Sequence, residues 1–305
     1  MRKAMIFESY FFMLCLTILL NSSLASSKTT CLPDQSSTLL KLKQEFEPLT
    51  EPDLIDDTSF YSYPKMKFWK GKDCCKWDGV KCNMKTGQVV SLDLSNSWLQ
   101  GPLSSNSSLF DLDQLQRLNL AYNNFNSSII PSRFSQLSRL THLNLSYSHF
   151  VGKVPNEITW LNNLVSLDLS TNFDYVDGIN PLFLQIDTFH HNFSKLQELY
   201  LDQVNLTSLL PQSLSNLTSL TSLSLIECDL YGDFPSNIFL LPNIQLIHLR
   251  NNYMLNGFLP TFHSTSNLKD YSILNWESFP FGKFGFSIHQ PYWSTSIHFW
   301  KSFQT

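Results

Sequence analysis

The chain has 305 residues, of which 43% are hydrophobic and only 15% are charged, and its formal net charge at pH 7 is −4. This weakly acidic composition argues against nucleic acid and anionic membrane surfaces as partners, because both attract basic stripes. No run of about 18 apolar residues follows Leu20, so the sequence predicts no membrane span.

Residues 1–25 have the pattern of a secretory signal peptide. Arg2 and Lys3 precede an apolar run over residues 11–20, and the small residues around Ala25 suit cleavage by signal peptidase. The apolar run is too short to cross a membrane. The alternative to a signal peptide is an N-terminal helix that is buried in the folded protein. We therefore expect a mature chain that enters the secretory pathway and acts outside the cell.

Four cysteines follow the leader, at Cys31, Cys74, Cys75 and Cys82, while Cys228 lies among the repeats described below. In an oxidising compartment four cysteines form disulfides, and three pairings are available. A bridge between the adjacent Cys74 and Cys75 would close a strained ring, so we favour Cys31 with Cys74 and Cys75 with Cys82. The alternative, a zinc site, lacks the paired C-x-x-C spacing, and we expect no metal and no cofactor.

Between the first two of these cysteines, residues 38–46 predict an amphipathic helix with Leu39, Leu42 and Phe46 on one face. We expect this helix to cover the first repeat, so that residues 26–88 form an N-terminal cap. Such a cover is needed because each repeat buries its apolar side only against its neighbours.

Residues 89–275 repeat a leucine pattern whose period is the 24 positions that separate Leu143 from Leu167. The order L-x-x-L-x-L-x-x-N/C-x-L is typical of leucine-rich repeats. The L-x-L alternation predicts one short strand in each of seven good repeats and a weak eighth. We therefore predict an α/β solenoid, a leucine-rich-repeat superhelix with a parallel concave sheet and a disulfide-bonded N-terminal cap. The aligned pairs are Leu92/Leu94, Leu118/Leu120, Leu143/Leu145, Leu167/Leu169, Leu199/Leu201, Leu223/Leu225, Ile247/Leu249 and Tyr271/Ile273.

The third residue after each pair is small or carries an amide in most repeats, and an Asn there can hydrogen-bond the backbone of the turn. Val204 cannot do so, and we expect a looser turn at that point. These positions are Ser97, Asn123, Ser148, Asn172, Val204, Cys228 and Asn252.

The cap and the first repeats carry a family resemblance. The relevant segments are Cys31-Leu32-Pro33-Asp34-Gln35, Asp73-Cys74-Cys75-Lys76-Trp77-Asp78-Gly79-Val80-Lys81-Cys82 and Leu92-Asp93-Leu94-Ser95. From Cys31 to Leu274 the chain resembles plant extracellular leucine-rich-repeat receptor-like proteins of the Cf disease-resistance type, as an N-terminal portion of their ectodomain. The resemblance implies recognition of a peptide or protein ligand, signalling through co-receptor kinases, and a place at the plasma membrane in full-length relatives. The Gly-x-hydrophobic-Pro steps imply a second short sheet.

Ligand contacts on a solenoid lie on the concave strand face, at polar positions beside the leucines. Any single residue at these positions can instead be merely exposed to solvent, without contacting a ligand. The prediction that the whole row forms a binding surface is therefore stronger than the prediction for any one residue. The predicted contacts are Arg117, Asn119, Tyr122, His142, Tyr147, Asp168, Glu198, Tyr200 and Asp202.

Two segments depart from the repeat. The long interval before Leu199 predicts an island at residues 173–191, which either contributes to ligand binding or is a neutral insertion. Its adjacent His190 and His191 do not predict a metal site, because no further ligand lies at a useful spacing. Residues 276–305 are aromatic without a leucine ladder, and we expect either an unrelated tail, as a truncated product would carry, or an unusual cover.

N-x-S/T sequons mark candidate glycosylation sites in an exported chain. Among them, Asn144 lies on the predicted concave strand, where a sugar would block its neighbours. The sequons after the leader are at Asn106, Asn126, Asn144, Asn192, Asn205 and Asn216.

The sequence does not predict an enzyme. It has no Gly-x-Ser-x-Gly elbow, no H-E-x-x-H helix and no nucleotide-binding loop. Carboxylates such as Asp168, Glu198 and Asp202 can align across strands, but alignment alone does not make an acid and a base. The competing hypothesis is a secreted inhibitor of microbial cell-wall hydrolases, since the cap also resembles polygalacturonase-inhibiting proteins, although their C-terminal cysteine cap is missing here.

Overall fold

The structure is a computed structural model, and it describes residues 30–46, 62–172, 181–186, 193–257 and 267–272. The signal peptide predicted at residues 1–25 and the tail predicted at 276–305 lie outside these ranges. Most of the island predicted at 173–191 also lies outside them.

One strand from each repeat joins a nine-stranded sheet. In order across this sheet the strands are β1 (Val80–Cys82), β2 (Val89–Asp93), β3 (Arg117–Asn119), β4 (His142–Asn144), β6 (Ser166–Asp168), β8 (Glu198–Tyr200), β9 (Ser222–Ser224), β11 (Leu246–His248) and β13 (Asp270–Ser272). The cap strand β1 is antiparallel to β2, and every other pair is parallel. Leu118, Leu143 and Leu167 lie side by side in register and are fully buried. The predicted solenoid with a parallel sheet is confirmed.

Short 3-10 helices, rather than α-helices, cross the side of the repeat opposite the sheet. Four of them begin directly after a proline whose φ lies between −64° and −70°. Proline fixes this φ and has no N–H that would need a partner, so it is well suited to the entry of a short helix. The helices are Ser108–Asp111, Ser132–Gln136, Asn156–Trp160, Gln212–Asn216 and Ser236–Leu240.

In place of the single second short sheet that the family resemblance implied, the described residues form two separate parallel ribbons of two strands each. In the first, β5 (Gly152–Lys153) pairs with β7 (Leu182–Phe183), which comes from the predicted island. In the second, β10 (Tyr231–Asp233) pairs with β12 (Met254–Asn256). Gly232 has a φ of +73°, a left-handed backbone conformation that glycine adopts without the strain it causes in other residues.

The cap is built on helix α1 (Pro33–Glu45), which starts earlier than predicted because proline fits the first turn of a helix. Leu39, Leu42 and Phe46 are buried, as predicted. The Glu45 carboxylate accepts hydrogen bonds from both N and Oγ of Ser108, at 2.8 and 2.7 Å. The helix therefore covers the apolar end of the first repeats.

Two disulfides fasten the rest of the cap, joining Cys31 to Cys74 and Cys75 to Cys82, which is the favoured pairing. The cap also contains short 3-10 helices at Lys65–Phe68 and Cys74–Lys76. Gly79 has a φ of +78°, and a Cβ there would lie 2.1 Å from the carbonyl oxygen of Asp93. Glycine alone permits this close approach between the cap and β2.

Buried asparagines join successive turns. The Asn123 side chain accepts the N–H groups of Ser97 and Leu99, and it donates to the carbonyls of Leu94, Leu120 and Ala121. Asn172 and Asn252 bond in the same way.

Val204 has no polar side chain at the equivalent position. Its turn is closed by a backbone hydrogen bond of 2.9 Å from Val204 N–H to the carbonyl of Leu201. None of the described helices has the length and apolarity needed to cross a lipid bilayer.

Candidate ligand-binding face

The strand positions beside the leucines form four rows, which together make up the inner face. Strand register aligns the first two rows, and the next residues of each repeat supply the third row and a rim row. The first row is Ser91, Arg117, His142, Ser166, Glu198, Ser222 and Leu246. The second row is Asp93, Asn119, Asn144, Asp168, Tyr200, Ser224 and His248, and the third row is Ser95, Ala121, Ser146, Ser170, Asp202, Ile226 and Arg250. The rim row is Asn96, Tyr122, Tyr147, Thr171, Gln203, Glu227 and Asn251. All nine predicted contact residues fall within these rows.

The rim row has an unusual backbone. Its seven residues all have a positive φ, between 51° and 62°. Non-glycine residues seldom adopt this left-handed conformation, and here it recurs because each repeat must leave the sheet at the same point. The turn therefore holds the rim side chains in equivalent places from one repeat to the next.

In the first half of the second row, side chains cap their own turns. Oδ1 of Asn119 accepts the N–H of Ala121 at 3.0 Å, and Oδ1 of Asn144 accepts the N–H of Ser146 at 2.9 Å. Asp168 does the same for the N–H of Ser170, at 3.0 Å. Asn119 and Asp168 therefore have a structural task in addition to their predicted place on the face.

Asp168 caps its turn with a carboxyl group, where the two preceding repeats use the amide of an asparagine. Burial raises the pKa of its carboxyl from 3.8 to about 6, although the hydrogen bonds from Ser170 act in the opposite direction. The nearby Asp202 carboxylate raises it further. Burial also raises the pKa of Asp202, whose Oδ1 accepts Oγ of Ser224 at 2.6 Å and the N–H of Ile226 at 2.9 Å.

Tyr200 lies among carboxylates. Burial raises the pKa of its phenol above the ordinary 10.0, and the charges of Glu198, Asp168 and Asp202 add to the effect. Asp168 lies beside Tyr200 on the adjacent strand, and Glu198 and Asp202 lie two positions before and two positions after Tyr200. The middle of the inner face is therefore negative in character.

The beginning of the face has the opposite character. Arg117 and His142 are neighbours in the first row, and both are half-buried. Burial, followed by the Arg117 charge, lowers the pKa of His142 from 6.5 to about 4. The imidazole therefore stays neutral at ordinary pH, and its Nδ1 lies 2.9 Å from Oγ1 of Thr141.

Two aromatic residues dominate the rim beside Arg117 and His142. The rings of Tyr122 and Tyr147 stack with centroids 4.5 Å apart and planes 8° from parallel. Further along the rim, Nε2 of Gln203 donates to the Glu227 carboxylate at 3.1 Å. The rim thus changes from aromatic to polar along the solenoid.

Sequence reasoning missed how far the cap extends over this face. Nζ of Lys65 lies 3.2 Å from the Asp93 carboxylate and 3.4 Å from Oγ of Ser95, so these two inner-face residues are covered. Trp98 Nε1 also donates to Ser62 at 3.1 Å. No sequence signal connects lysine and aspartate partners that are 28 positions apart.

The described sequons differ in accessibility. Asn106, Asn126 and Asn216 are exposed, whereas Asn205 is partly buried. Asn144 is buried within the sheet, and Asn192 lies outside the described residues. In the described part of the chain, the cluster with metal-ligand geometry consists of Cys31, Cys74 and Cys75, all of which are in disulfides.

Comparisons with known proteins agree with this architecture. A family model described as Leucine Rich Repeat matches residues 114–137 and 139–161. Receptor-like protein 6 of Arabidopsis thaliana is 43% identical over 264 residues, which are 84% of this chain and 26% of that protein. Receptor-like protein Cf-9 of Solanum pimpinellifolium is 38% identical over 257 residues, which are 82% of this chain and 29% of that protein. The chain thus spans about a quarter of the length of the curated relatives that it matches.

Solved structures with the same fold include the plant peptide hormone receptor RGFR1 in complex with RGF2. That structure is 31% identical with a TM-score of 0.51, and the match covers 61% of this chain and 27% of the receptor. A second structure is that of Pollen Receptor Kinase 3, which is 24% identical with a TM-score of 0.51. The match covers 62% of this chain and 86% of that chain, and it supports the fold alone.

Proposed function

This chain belongs to the leucine-rich-repeat receptor-like proteins of plants, and on that premise we propose that it is part of a non-catalytic recognition ectodomain. Its inner face binds a peptide or protein ligand outside the cell, and receptor kinases that associate with it pass on the signal. The chain reaches this location through the secretory pathway.

The observation that carries the proposal is the composition of the inner face. Four rows of in-register side chains present stacked tyrosines at one end and carboxylates in the middle, on a rigid parallel sheet. A series of different side chains held at fixed spacing suits an extended polypeptide, which offers a new side chain every few ångströms. RGFR1, described as a plant peptide hormone receptor in complex with RGF2, shares this fold and supports a peptide as the ligand.

The test is selection of a phage-displayed library of random 12-residue peptides on the purified, secreted chain. We expect the recovered peptides to bind Tyr122→Ala and Tyr147→Ala more weakly than the unaltered chain, as measured by calorimetry with synthetic copies. Trp160→Ala is the matched control, since this aromatic residue is 61% exposed and lies on the opposite side of the repeat. If both tyrosine variants bind as well as this control, the proposed face is wrong.

Association with receptor kinases is tested separately. A tagged chain expressed in leaf tissue should recover a receptor kinase ectodomain after crosslinking, and more of it when a selected peptide is present. Recovery that the peptide leaves unchanged would contradict ligand-dependent association.

A further inference from the structure

The middle of the inner face carries one carboxylate, that of Glu198, for which the described residues supply no salt-bridge partner. Glu198 lies in the first row and is half-buried. Asp168 and Asp202 lie nearby in the second and third rows. A half-buried carboxylate that has no charged partner in its own chain is suited to a positive partner from a ligand.

The neighbouring sequence does not supply that partner. No lysine or arginine occurs between Lys153 and Lys195, a stretch that includes β6 and the island. Lys195 is itself exposed and hydrogen-bonded to Asn163 at 2.8 Å. His248 and Arg250 act on Asp202, where their positive charge opposes the rise in its carboxyl pKa that burial causes.

A second and independent observation is the hydroxyl group of Ser166. Ser166 is completely buried, and its Oγ has no hydrogen-bond partner. It lies in the first row directly beside Glu198 on the adjacent strand. Strands in a sheet are about 4.8 Å apart, so both side chains belong to one small site.

Two other inner-face serines have partners, although Oγ of Ser272 on the last described strand also has none. Ser146 Oγ donates to Asn144 at 2.7 Å, and Ser224 Oγ donates to Asp202 at 2.6 Å. A buried hydroxyl without a partner costs free energy, and such groups in native proteins mark places where a partner is missing. An unpartnered acceptor beside an unpaired carboxylate is suited to an N–H donor that carries a positive charge.

We propose that the inner face binds a basic side chain of its ligand, lysine or arginine, at Glu198, beside the unpartnered hydroxyl of Ser166. This rests on the proposed function and adds the chemical class of the ligand. An ammonium or guanidinium group donates a charge-assisted hydrogen bond to the Glu198 carboxylate and supplies its missing positive partner. Acidic peptides are rejected by the same carboxylate.

The experiment uses the random 12-residue library on the unaltered chain and on Glu198→Gln. The matched control is Glu157→Gln, which makes the same change of charge in the 3-10 helix Asn156–Trp160 on the opposite side of the repeat. We expect lysine and arginine to be enriched among peptides selected on the unaltered chain and on the control, and not on Glu198→Gln.

A selected peptide then measures the interaction directly. We expect Glu198→Gln to weaken its binding about tenfold, as fits the loss of one charge-assisted hydrogen bond. Replacing the basic residue of the peptide with methionine should cause the same loss on the unaltered chain and no further loss on Glu198→Gln. Ser166→Ala should weaken binding less than Glu198→Gln does.

The outcomes separate this inference from the proposed function. Peptides that depend on Tyr122 and Tyr147 but show no basic residue, or that bind Glu198→Gln and Glu157→Gln equally well, overturn the inference and leave the recognition face standing. Peptides that none of the inner-face variants weaken contradict both.

Discussion

The two halves of the inner face, before and after the island, share one backbone and differ in how their polar side chains are used. Before the island, Asn119, Asn144 and Asp168 each cap the turn of their own repeat. After it, Tyr200 occupies the equivalent position, and the carboxylate of Asp202 extends to the next repeat to accept the N–H of Ile226. The leucines keep the register in both halves, so the polar rows are free to change their partners.

This difference teaches that the inner face is two chemical surfaces on one scaffold. The first half carries the stacked rings of Tyr122 and Tyr147 and the half-buried Arg117. The second half has no such stack among its described residues and carries more carboxylates, at Glu198, Asp202 and Glu227. An extended ligand that crosses both halves would therefore meet unlike chemistry at its two ends.

The largest expected effect comes from breaking the buried ladder that both halves share. Asn123→Ala removes five hydrogen bonds and leaves the N–H groups of Ser97 and Leu99 without acceptors. We expect a loss of about 3 kcal/mol or more in the free energy of unfolding, since each unsatisfied buried group costs about 1–3 kcal/mol. Urea unfolding followed by circular dichroism measures it.

The adjacent Asn124→Ala is the control for this change, because Asn124 is exposed and its side chain accepts only the N–H of Asn126 among the described contacts. An unfolding midpoint for Asn123→Ala that equals that of the control would show that the ladder does not stabilise the solenoid.

A smaller effect is expected where the first half meets the second. Asp168→Asn keeps an Oδ1 acceptor for Ser170, as Asn144 does for Ser146, and removes a carboxyl whose burial raises its pKa from 3.8 to about 6. A raised carboxyl pKa means that the folded chain binds the proton more tightly, so stability is lost as pH rises from about 4 to about 6. The variant should therefore gain on the order of 2 kcal/mol over the unaltered chain above pH 6 and little at pH 4.

Unfolding by urea across this pH range measures that gain. Asp93→Asn provides the contrast, because Asp93 forms an ion pair with Lys65 at 3.2 Å and its replacement should destabilise the cap. A constant difference between Asp168→Asn and the unaltered chain from pH 4 to pH 7 would rule out the proposed cause.

The parts that sequence reasoning predicted are those governed by burial and by covalent geometry. Leu143 and Leu167 recur with the period of the repeat, and the burial of both sets the strand and its register. A bridge between the adjacent Cys74 and Cys75 would close a strained ring, and avoiding it led to the pairing that the structure shows.

Sequence reasoning did not predict the individual hydrogen bonds, which depend on which polar atoms lie within about 3 Å of each other. Such distances change with the rotamer of each side chain, whereas the period of the repeat does not. Asp202 was predicted as a ligand contact, yet its bond to Ile226 became visible only in the structure. The same holds for the contact of Lys65 with Asp93, which closes the start of the inner face.

The aromatic stack of the first half should have a measurable but modest energy. A double-mutant cycle with Tyr122→Ala, Tyr147→Ala and the double variant should give a coupling of about 0.5–1.5 kcal/mol in unfolding free energy, as stacked aromatic pairs do. Pairing Tyr122→Ala with Trp160→Ala provides a cycle between distant residues, which should be additive. Equal coupling in both cycles would mean that the stack observed at 4.5 Å carries no specific energy.

The smallest expected effect concerns the charge at the start of the face. Burial, and after it the Arg117 charge, lowers the pKa of His142 to about 4, so Arg117→Gln should raise this pKa only partly toward 6.5. The position of the His142 ring signal against pH in NMR spectra reports the change, and Arg139→Gln, an exposed arginine between repeats, is the control. Because the folded pKa lies below that of the unfolded chain, stability falls as pH drops from about 6.5 to about 4, and Arg117→Gln should make this fall shallower. An unchanged titration would assign the neutral imidazole to burial alone, and the first half of the face would then differ from the second in packing rather than in charge.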